Sequence, residues 1–335
     1  MKMKLKAFVL AASAAAVIGT ASAPANAAAT ELTLVHPFPD FLIYTKLCKE
    51  LVGKINTAGK GMVSIKVLPF NSIGMFKQPP AVRAGRVDIA CTPAAFYARG
   101  LPEAEGVATS NSSPANVRAN GGMKLLDEIH QKHFGVKYLG WTSSGGHFRI
   151  YMKNPPKFNK KGLIDFTGVK LRDNPIYGAF FRAMNATTHT LRSTDTYPAL
   201  EKGVVDAAAW ATIGLKGLKW DKFLRHAVEP EFYQTDLGWF MNLKKWNSLD
   251  AATQKIVQDT VIAHEIVASA NLVKLAAEER ATLIKEGMKF HKVPAAAEYT
   301  KLAVDSAYNR MMERLKKAGR PTDHVAKLRK LWQEQ

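Results

Sequence analysis

Hydrophobic residues recur at every second position in several short stretches of this chain and at every third or fourth in the segments between them. That switching of period predicts its architecture. Glu31 to Val35 reads as a strand. The loop His36-Pro37-Phe38-Pro39 follows, and then a helix capped by Asp40 that runs to about Ile55 with Leu42, Tyr44, Leu47, Leu51 and Val52 on its apolar stripe. Met62 to Leu68 alternates as a strand through Val63, Ile65 and Val67, bounded by Gly61 and Pro69. Pro80 to Ala84 supplies a short helix, and Gly85-Arg86-Val87-Asp88-Ile89-Ala90 turns it into another strand. The order βαβαβ predicts an α/β fold with a parallel sheet covered by helices.

The same phrase returns in Lys202-Gly203-Val204-Val205-Asp206-Ala207-Ala208, where a helix again ends on glycine and an aspartate again opens a strand. In both places the glycine supplies a left-handed helix stop. Two such phrases at a lobe-sized separation predict two related α/β lobes. Gly135 to Trp141 and His147 to Met152 read as strands about a Ser143-Ser144-Gly145-Gly146 turn. The chain is expected to cross between lobes at Lys153-Asn154-Pro155-Pro156 and to return near Gly238 to Leu243, so hinge strands are expected near Tyr151 to Lys153 and at that return. After Trp246-Asn247-Ser248-Leu249, capped by Ser248 or Asp250, no proline and no glycine before Gly287 interrupts a helical pattern. Its roughly 37 residues would reach about 55 Å, so it runs along both lobes or bends. Met288 to Val293 is a last strand and Tyr299 to Ala318 a terminal amphipathic helix. The expected division is a first lobe over residues 28–150, with about 238–265 returning to it, and a second over 151–237, with about 280–335 returning to it.

Residues 1–27 read as an export signal. Lys2, Lys4 and Lys6 precede an apolar run from Ala7 to Gly19, and Ala25-Asn26-Ala27 is a small-x-small cleavage site. The run is too short for a spanning helix, which needs about 20 residues. A periplasmic protein without an anchor is therefore expected, its roughly 300 residues enough for two lobes. Cys48 and Cys91 are expected as buried free thiols ahead of a disulfide, although the compartment permits one. The formal net charge of +19 falls by three when the signal lysines go. The remaining basic residues are scattered over helix surfaces without interleaved aromatics, which speaks for a solvated basic surface and against nucleic acid as a partner.

Chemistry concentrates between Gly168 and Trp210. Gly168-Val169-Lys170-Leu171-Arg172-Asp173-Asn174-Pro175 is a strand that delivers an arginine to a proline-stopped loop, and Tyr197 to Trp210 is a helix end, a glycine and a strand running into an indole. A guanidinium and an aromatic ring on two strand ends suit a small organic anion. No nucleophile elbow, phosphate loop or dinucleotide fingerprint accompanies them, and no cofactor or metal is expected. His264-Glu265 begins like a zinc-protease helix but lacks the second histidine at Ala268. His264 reads as a helix-surface or interlobe residue, and His130 and His133 read as solvent-facing.

Taken together, these stretches resemble the extracytoplasmic solute-binding proteins of tripartite ATP-independent periplasmic (TRAP) transporters, the dicarboxylate-binding-protein-like family. The resemblance runs through Ser64 to Gly74, Val82 to Ala90, Gly168 to Pro175, Tyr197 to Asp206 and Trp246 to Leu249, in the family's order. It implies two α/β lobes joined by strands, one long helix spanning both, and an organic acid bound between them and handed to the small and large membrane subunits of an ion-driven permease. It implies no enzyme activity and a monomer. It assigns the ligand carboxylate to Arg172, whose planar fork can hold both oxygens. Trp210 stands where many members have an asparagine, as in a subgroup that takes up 2-oxo acids and related monocarboxylates, but Ala209 replaces the acidic residue often found before it. The expected ligand is a monocarboxylate of the 2-oxo or aromatic kind. His147 or Arg149 is expected as the second polar contact, and Asn174, Phe38 and Asn71 complete the candidate set. A two-lobed binding protein of an ATP-driven importer or a sensor is the alternative, followed by an exported hydrolase or lyase using His147 and Asp173.

Overall fold

The computed structural model describes residues 29–333, so the expected export signal and cleavage site lie outside the described residues. Two mixed sheets organise the chain. In the first, the strand order from one edge is Val63–Val67, Thr30–Val35, Ile89–Pro93, Leu237–Asn242 and Val136–Trp141. Its first three strands are parallel, as the βαβαβ order requires, and Leu237–Asn242 runs antiparallel to both of its neighbours. In the second, the order is Lys289–Lys292, His226–Glu229, His147–Met152, Ala207–Ala211, Lys170–Asp173 and Thr187–Thr190, with Phe232–Gln234 also paired to His147–Met152.

The repeated phrase does the same work in each sheet. Gly85 (φ +71°) and Gly203 (φ +65°) both take the left-handed conformation that ends their helices. Asp88 then accepts the backbone N–H of Thr33 at 2.7 Å, and Asp206 that of Lys170 at 3.4 Å. Each aspartate thus ties the start of its strand to the parallel neighbour.

The chain crosses between sheets at 142–146 and again at 235–236, not at Lys153 to Pro156. His147–Met152 therefore belongs to the second sheet, the first lobe's opening stretch ends before it rather than at 150, and Tyr151 to Lys153 lie inside a sheet instead of at a hinge. The serine- and glycine-rich turn reads as a hairpin from composition, but turn residues do not say whether the strands they join pair with each other. Here they pair elsewhere. The two crossings are bonded together: Trp141 Nε1 and Ser143 Oγ donate to the carbonyl of Thr235 at 2.7 and 2.9 Å, and Thr235 Oγ1 donates to the carbonyl of Ser143 at 2.6 Å.

The helix Ala251–Lys285 has 35 residues and Asp250 as its cap, through the N–H of Thr253, and spans about 52 Å. Glu265 fixes it to the first lobe, accepting from Arg118 at 2.6 Å and from the backbone N–H of Trp141 at 2.7 Å. Glu279 fixes it to the second, accepting from the backbone N–H groups of Gly214 and Lys216 at 2.7 and 3.2 Å. Between these anchors it presses on the crossing: a Cβ on Gly145 would stand 2.7 Å from the carbonyl oxygen of Ser269 and 2.9 Å from Val273. Glycine is required there.

Other expectations change. The first helix starts at Ile43 with Leu42 at its cap position, and Asp40 pairs with Lys49 instead of capping it. His130 is fully buried, bonded to Tyr97 and the carbonyl of Leu126, and burial lowers its pKa to about 4. His264 is buried where the long helix meets Lys54 and Glu50 of the helix Ile43–Ala58. Lys289–Lys292 joins the second sheet, but the last helix, His324–Trp332, joins the apolar cluster of Leu126 and Trp141, so the end of the chain returns to the first lobe, not the second.

The cysteines form a disulfide, Cys48–Cys91, with S–S 1.98 Å and Cα–Cα 6.2 Å. Cys48 lies on the sheet-facing side of its helix and Cys91 within the strand Ile89–Pro93, so burial that suggested free thiols brings them face to face. A bridge across a sequence separation of 43 contributes about 4 kcal/mol in the chain-entropy account. The Cys48→Ser/Cys91→Ser double variant should melt about 5–10 °C below the parent by calorimetry. A fall under about 2 °C would show that the bridge adds little.

Candidate functional site

Arg172 sits near the end of Lys170–Asp173 and Trp210 near the end of Ala207–Ala211, two adjacent parallel strands linked by a right-sized crossover through the helix Ser193–Glu201. Both side chains are buried, at 2% and 4% exposure. The guanidinium has no acidic partner among the ion pairs of the described residues. Instead Nε and Nη2 donate to the carbonyl of Leu191 at 3.1 and 2.7 Å, and Nη1 donates to that of Ala209 at 3.0 Å. Those bonds use one N–H on each nitrogen, and the Tyr177 phenol is a further hydrogen-bond partner of the guanidinium. Burial holds the pKa of Arg172 below its ordinary value, offset by Tyr177 and Asp173. Two indoles approach the cation from one side, with ring centres 5.8 Å (Trp210) and 5.4 Å (Trp220) from it and 5.1 Å from each other.

Phe38 is delivered from the other lobe. Its loop is locked by Thr45 Oγ1, which donates to the carbonyl of Phe38 at 2.9 Å, and its ring meets Trp210 edge-on with centroids 6.3 Å apart. Behind that contact is a cavity of about 30 Å³ lined by Phe38, Tyr44, Phe148, Asn174, Tyr177, Trp210 and Asp236 among others. A smaller void of about 10 Å³ adjoins it at the shared Phe38, Asn174 and Trp210, and Arg172 lines that void. Three of the seven candidates, Arg172, Trp210 and Phe38, thus meet, and Asn174 joins them with its Oδ1 already accepting from the N–H of Ile176 at 3.2 Å.

The other candidates lie elsewhere. Arg149 is buried but spent: it pairs with Glu229 and Glu231 and stacks on Phe290. His147 lines a different, more open crevice of about 420 Å³ with Glu231, Lys301 and Arg329. Its charged walls are already matched, because Glu231 holds Arg149 while Asp305 holds Lys301 and Arg329. Asn71 is exposed in the turn after Val63–Val67; Met75 and Phe76, a few residues on, reach the void instead. Asp173, once paired with His147 in a hydrolytic reading, accepts from Thr190 at 2.6 Å and does not line that crevice.

Several lining residues escape a reading of the sequence. Trp220 sits ten positions beyond the Trp210 strand end and is fully buried. Tyr44 reads as one more member of an apolar helix stripe, yet its hydroxyl is buried without a partner, as is Nε1 of Trp210. Asp236 carries a legible signal, an acidic residue directly before the strand Leu237–Asn242, and it lies at the second crossing with 2% exposure.

The position of Trp210 depends on the long helix. Gly214 is left-handed at φ +96°, and a Cβ there would stand 3.5 Å from Trp210 Nε1. Glu279 holds that turn through Gly214 and Lys216. Glu279→Ala leaves two partly buried N–H groups without an acceptor and should cost about 1–3 kcal/mol, with altered Trp210 emission in the folded protein. Unchanged stability and an unchanged spectrum, measured against Trp210→Phe as the reference, would show that the turn holds itself.

The signature of the bacterial extracellular solute-binding proteins, family 7, matches residues 38–315. A monocarboxylate 2-oxoacid-binding periplasmic protein of Nostoc sp. (strain PCC 7120) is 24% identical over 241 residues, 67% of this chain and 62% of that protein. This chain therefore spans less than two thirds of that relative. Among solved structures, a TRAP periplasmic solute-binding protein from Desulfovibrio salexigens with bound orotic acid superposes with TM-score 0.75 at 19% identity, covering 89% of this chain and 97% of that one. A Bordetella pertussis extracytoplasmic solute receptor binding pyroglutamic acid superposes with TM-score 0.72 at 17% identity, covering 91% and 99%. Identities this low show a shared two-lobed fold, and these relatives are binding proteins.

Proposed function

The chain belongs to the bacterial extracellular solute-binding proteins, family 7, and from that premise we propose that it is the periplasmic receptor of a TRAP transporter. It captures a small monocarboxylate between its lobes and delivers it unchanged to the two membrane subunits of the permease. The observation that carries this reading is Arg172, a buried guanidinium with two indoles against one side of it, no carboxylate of its own, and only the carbonyls of Leu191 and Ala209 and the Tyr177 phenol as hydrogen-bond partners. A buried cation that no carboxylate meets is costly, and a ligand carboxylate placed against it removes the cost. The acids bound by the solved relatives, orotic and pyroglutamic, and the 2-oxo acid of the Nostoc protein share a carboxylate, the one feature this site asks for. Because the cavity measures only about 30 Å³, room for roughly two waters, entry of even a three-carbon acid requires the walls to part. The paired crossings at 142–146 and 235–236 are the place for that hinge.

Calorimetric titration with pyruvate, L-lactate, L-pyroglutamate and orotate tests the assignment. For whichever acid binds the parent, Arg172→Ala leaves its carboxylate unpaired in a desolvated site, a loss of about 2–5 kcal/mol, or roughly 30-fold to several thousand-fold in Kd. Arg172→Lys should recover part of this, since an ammonium keeps the charge and loses the fork. An Ala variant that melts like the ligand-free parent and binds within about threefold of it would remove Arg172 as the anchor.

Trp210 should report the same event. Its fluorescence should change on titration with the bound acid, and Trp210→Ala should weaken binding by about 5- to 30-fold, the worth of roughly 1–2 kcal/mol of ring contact. If Trp210→Phe retains the whole signal, another indole is the reporter.

A further inference from the structure

The chamber described above contains one charged group that the anchor does not use. Asp236 lies at the second crossing, 2% exposed, and lines the cavity opposite the void that Arg172 lines. Its Oδ2 accepts the backbone N–H of Ala95 at 3.1 Å, its main-chain carbonyl accepts that of Ala94 at 3.3 Å, and no lysine, arginine or histidine pairs with it among the described residues. Tyr177 stands between the two charges and feels both, its phenol raised by burial, lowered by Arg172 and raised by Asp236.

Counting charge decides what this means for a ligand. Tyrosines apart, the ionisable groups that line the two neighbouring voids are Arg172, Asp236 and Arg192, and Arg192 is exposed and bonded to Asp195. A bound carboxylate neutralises Arg172. An ionised Asp236 would then be a second anion in the same desolvated space with no cation left to meet it, which low dielectric makes costly. The remaining polar lining is rich in donors. The Tyr44 hydroxyl and the Trp210 N–H are buried without partners, and Asn174 keeps its amide N–H groups because its oxygen is already bonded. Such a chamber suits a ligand made of acceptors.

Resting on the reading of Arg172 as carboxylate anchor, we propose that the site is built for a monoanion carrying a second oxygen, such as a 2-oxo, 2-hydroxy or lactam acid. Asp236 enters the complex as a carboxylic acid that donates to that oxygen, so each ligand brings one proton into the closed chamber. The O–H bond forms on a carboxylate oxygen of Asp236 with a proton from solvent, and no other bond changes. Dicarboxylates are disfavoured because their second charge meets no cation.

The surroundings of Asp236 agree. Tyr44, Tyr97, Tyr138 and Tyr177 all feel its charge, and burial raises every one of these phenols, so they remain neutral. Glu105 acts on it from the helix Glu105–Thr109, but Arg310 and Arg314 hold that carboxylate. Burial pushes Asp236 itself up to about 7, against the pull of the Ala95 and Ala94 N–H groups. In the free protein it is therefore largely ionised above that pH and protonated below it.

The sign follows from linkage. Binding that needs the acid form loses about tenfold in affinity per pH unit above the free-state pKa and is flat below it, so Kd should weaken by roughly 100-fold between pH 6 and pH 9. Titrations with pyruvate, L-lactate, L-pyroglutamate and orotate, repeated in buffers of different ionisation enthalpy, read proton uptake directly on the parent. About one proton per ligand is expected at pH 8.5, falling to near zero at pH 5.5. Asp236→Asn keeps the shape and a donor, and should bind within about threefold of the parent at pH 6, take up no proton and lose the pH dependence. Succinate and L-malate should bind more weakly than the best monocarboxylate. No uptake at pH 8.5, a strict requirement for a metal cation in its place, tightest binding of a dicarboxylate, or loss of binding at pH 6 in a folded Asn variant would each overturn the proposal while leaving Arg172 as anchor. If none of these acids binds the parent at any pH, the receptor assignment fails and this inference fails with it.

Discussion

A guanidinium taken out of water without a carboxylate to meet it is the constraint on which the site depends. Arg172 keeps its charge because three of its N–H groups reach the carbonyls of Leu191 and Ala209 and two indoles face it from one side. Neutral carbonyls are weaker partners than a carboxylate, so the protein holds the cation in place without satisfying it. That incomplete pairing is what the proposed carboxylate would complete. It also explains the contrast with Arg149, an arginine of equal burial in the same sheet whose charge two glutamates already meet.

Holding the cation there requires both lobes to be placed by something other than the ligand. The long helix supplies the frame, with Glu265 bonded to the first lobe and Glu279 to the second. Both carboxylates are raised in pKa by burial and pulled back down by the groups they accept from, so each is a paired charge whose loss would leave donors stranded. Between these anchors the helix touches the first crossing at Gly145, where there is no space for a side chain. A change in the angle between the lobes must therefore be felt by the helix, and the Ser143–Thr235 bonds make the two crossings move as one.

The two-lobed α/β plan was legible because its signals are local: alternating strands, two glycine stops followed by an aspartate, and a helical run without proline. Arg172 and Trp210 were legible for the same reason, as strand-end residues in a distinctive stretch. What was not legible is pairing across distance. The turn at Ser143–Gly146 looks like a hairpin and is a crossing; Cys48 and Cys91 look like buried thiols and form a bridge; Arg149 looks available and is taken by Glu229 and Glu231. His130 has the composition of a surface helix residue, yet its partner Tyr97 comes from a separate segment. In each case the missing fact is which remote element packs against the residue, and no periodicity encodes that.

One further contact joins the lobes through the site itself. Arg310, on the helix Ala296–Lys317, donates to Glu105 at 3.0 Å and to the carbonyls of Pro175 and Ile176 at 2.8 Å each. Glu105 packs with the first lobe, whereas Pro175 and Ile176 directly follow Asn174 in the loop that Arg172 opens. The pair is buried on both sides, at 1% and 6% exposure, so neither charge can be exposed cheaply and removing one partner costs about 3–5 kcal/mol. The carbonyl bonds matter as much as the ion pair, because they fix the backbone of the ligand-facing loop relative to the opposite lobe. Arg310 thereby holds the loop that presents Asn174 and Ile176 in register with the lobe that carries Phe38 and Asp236.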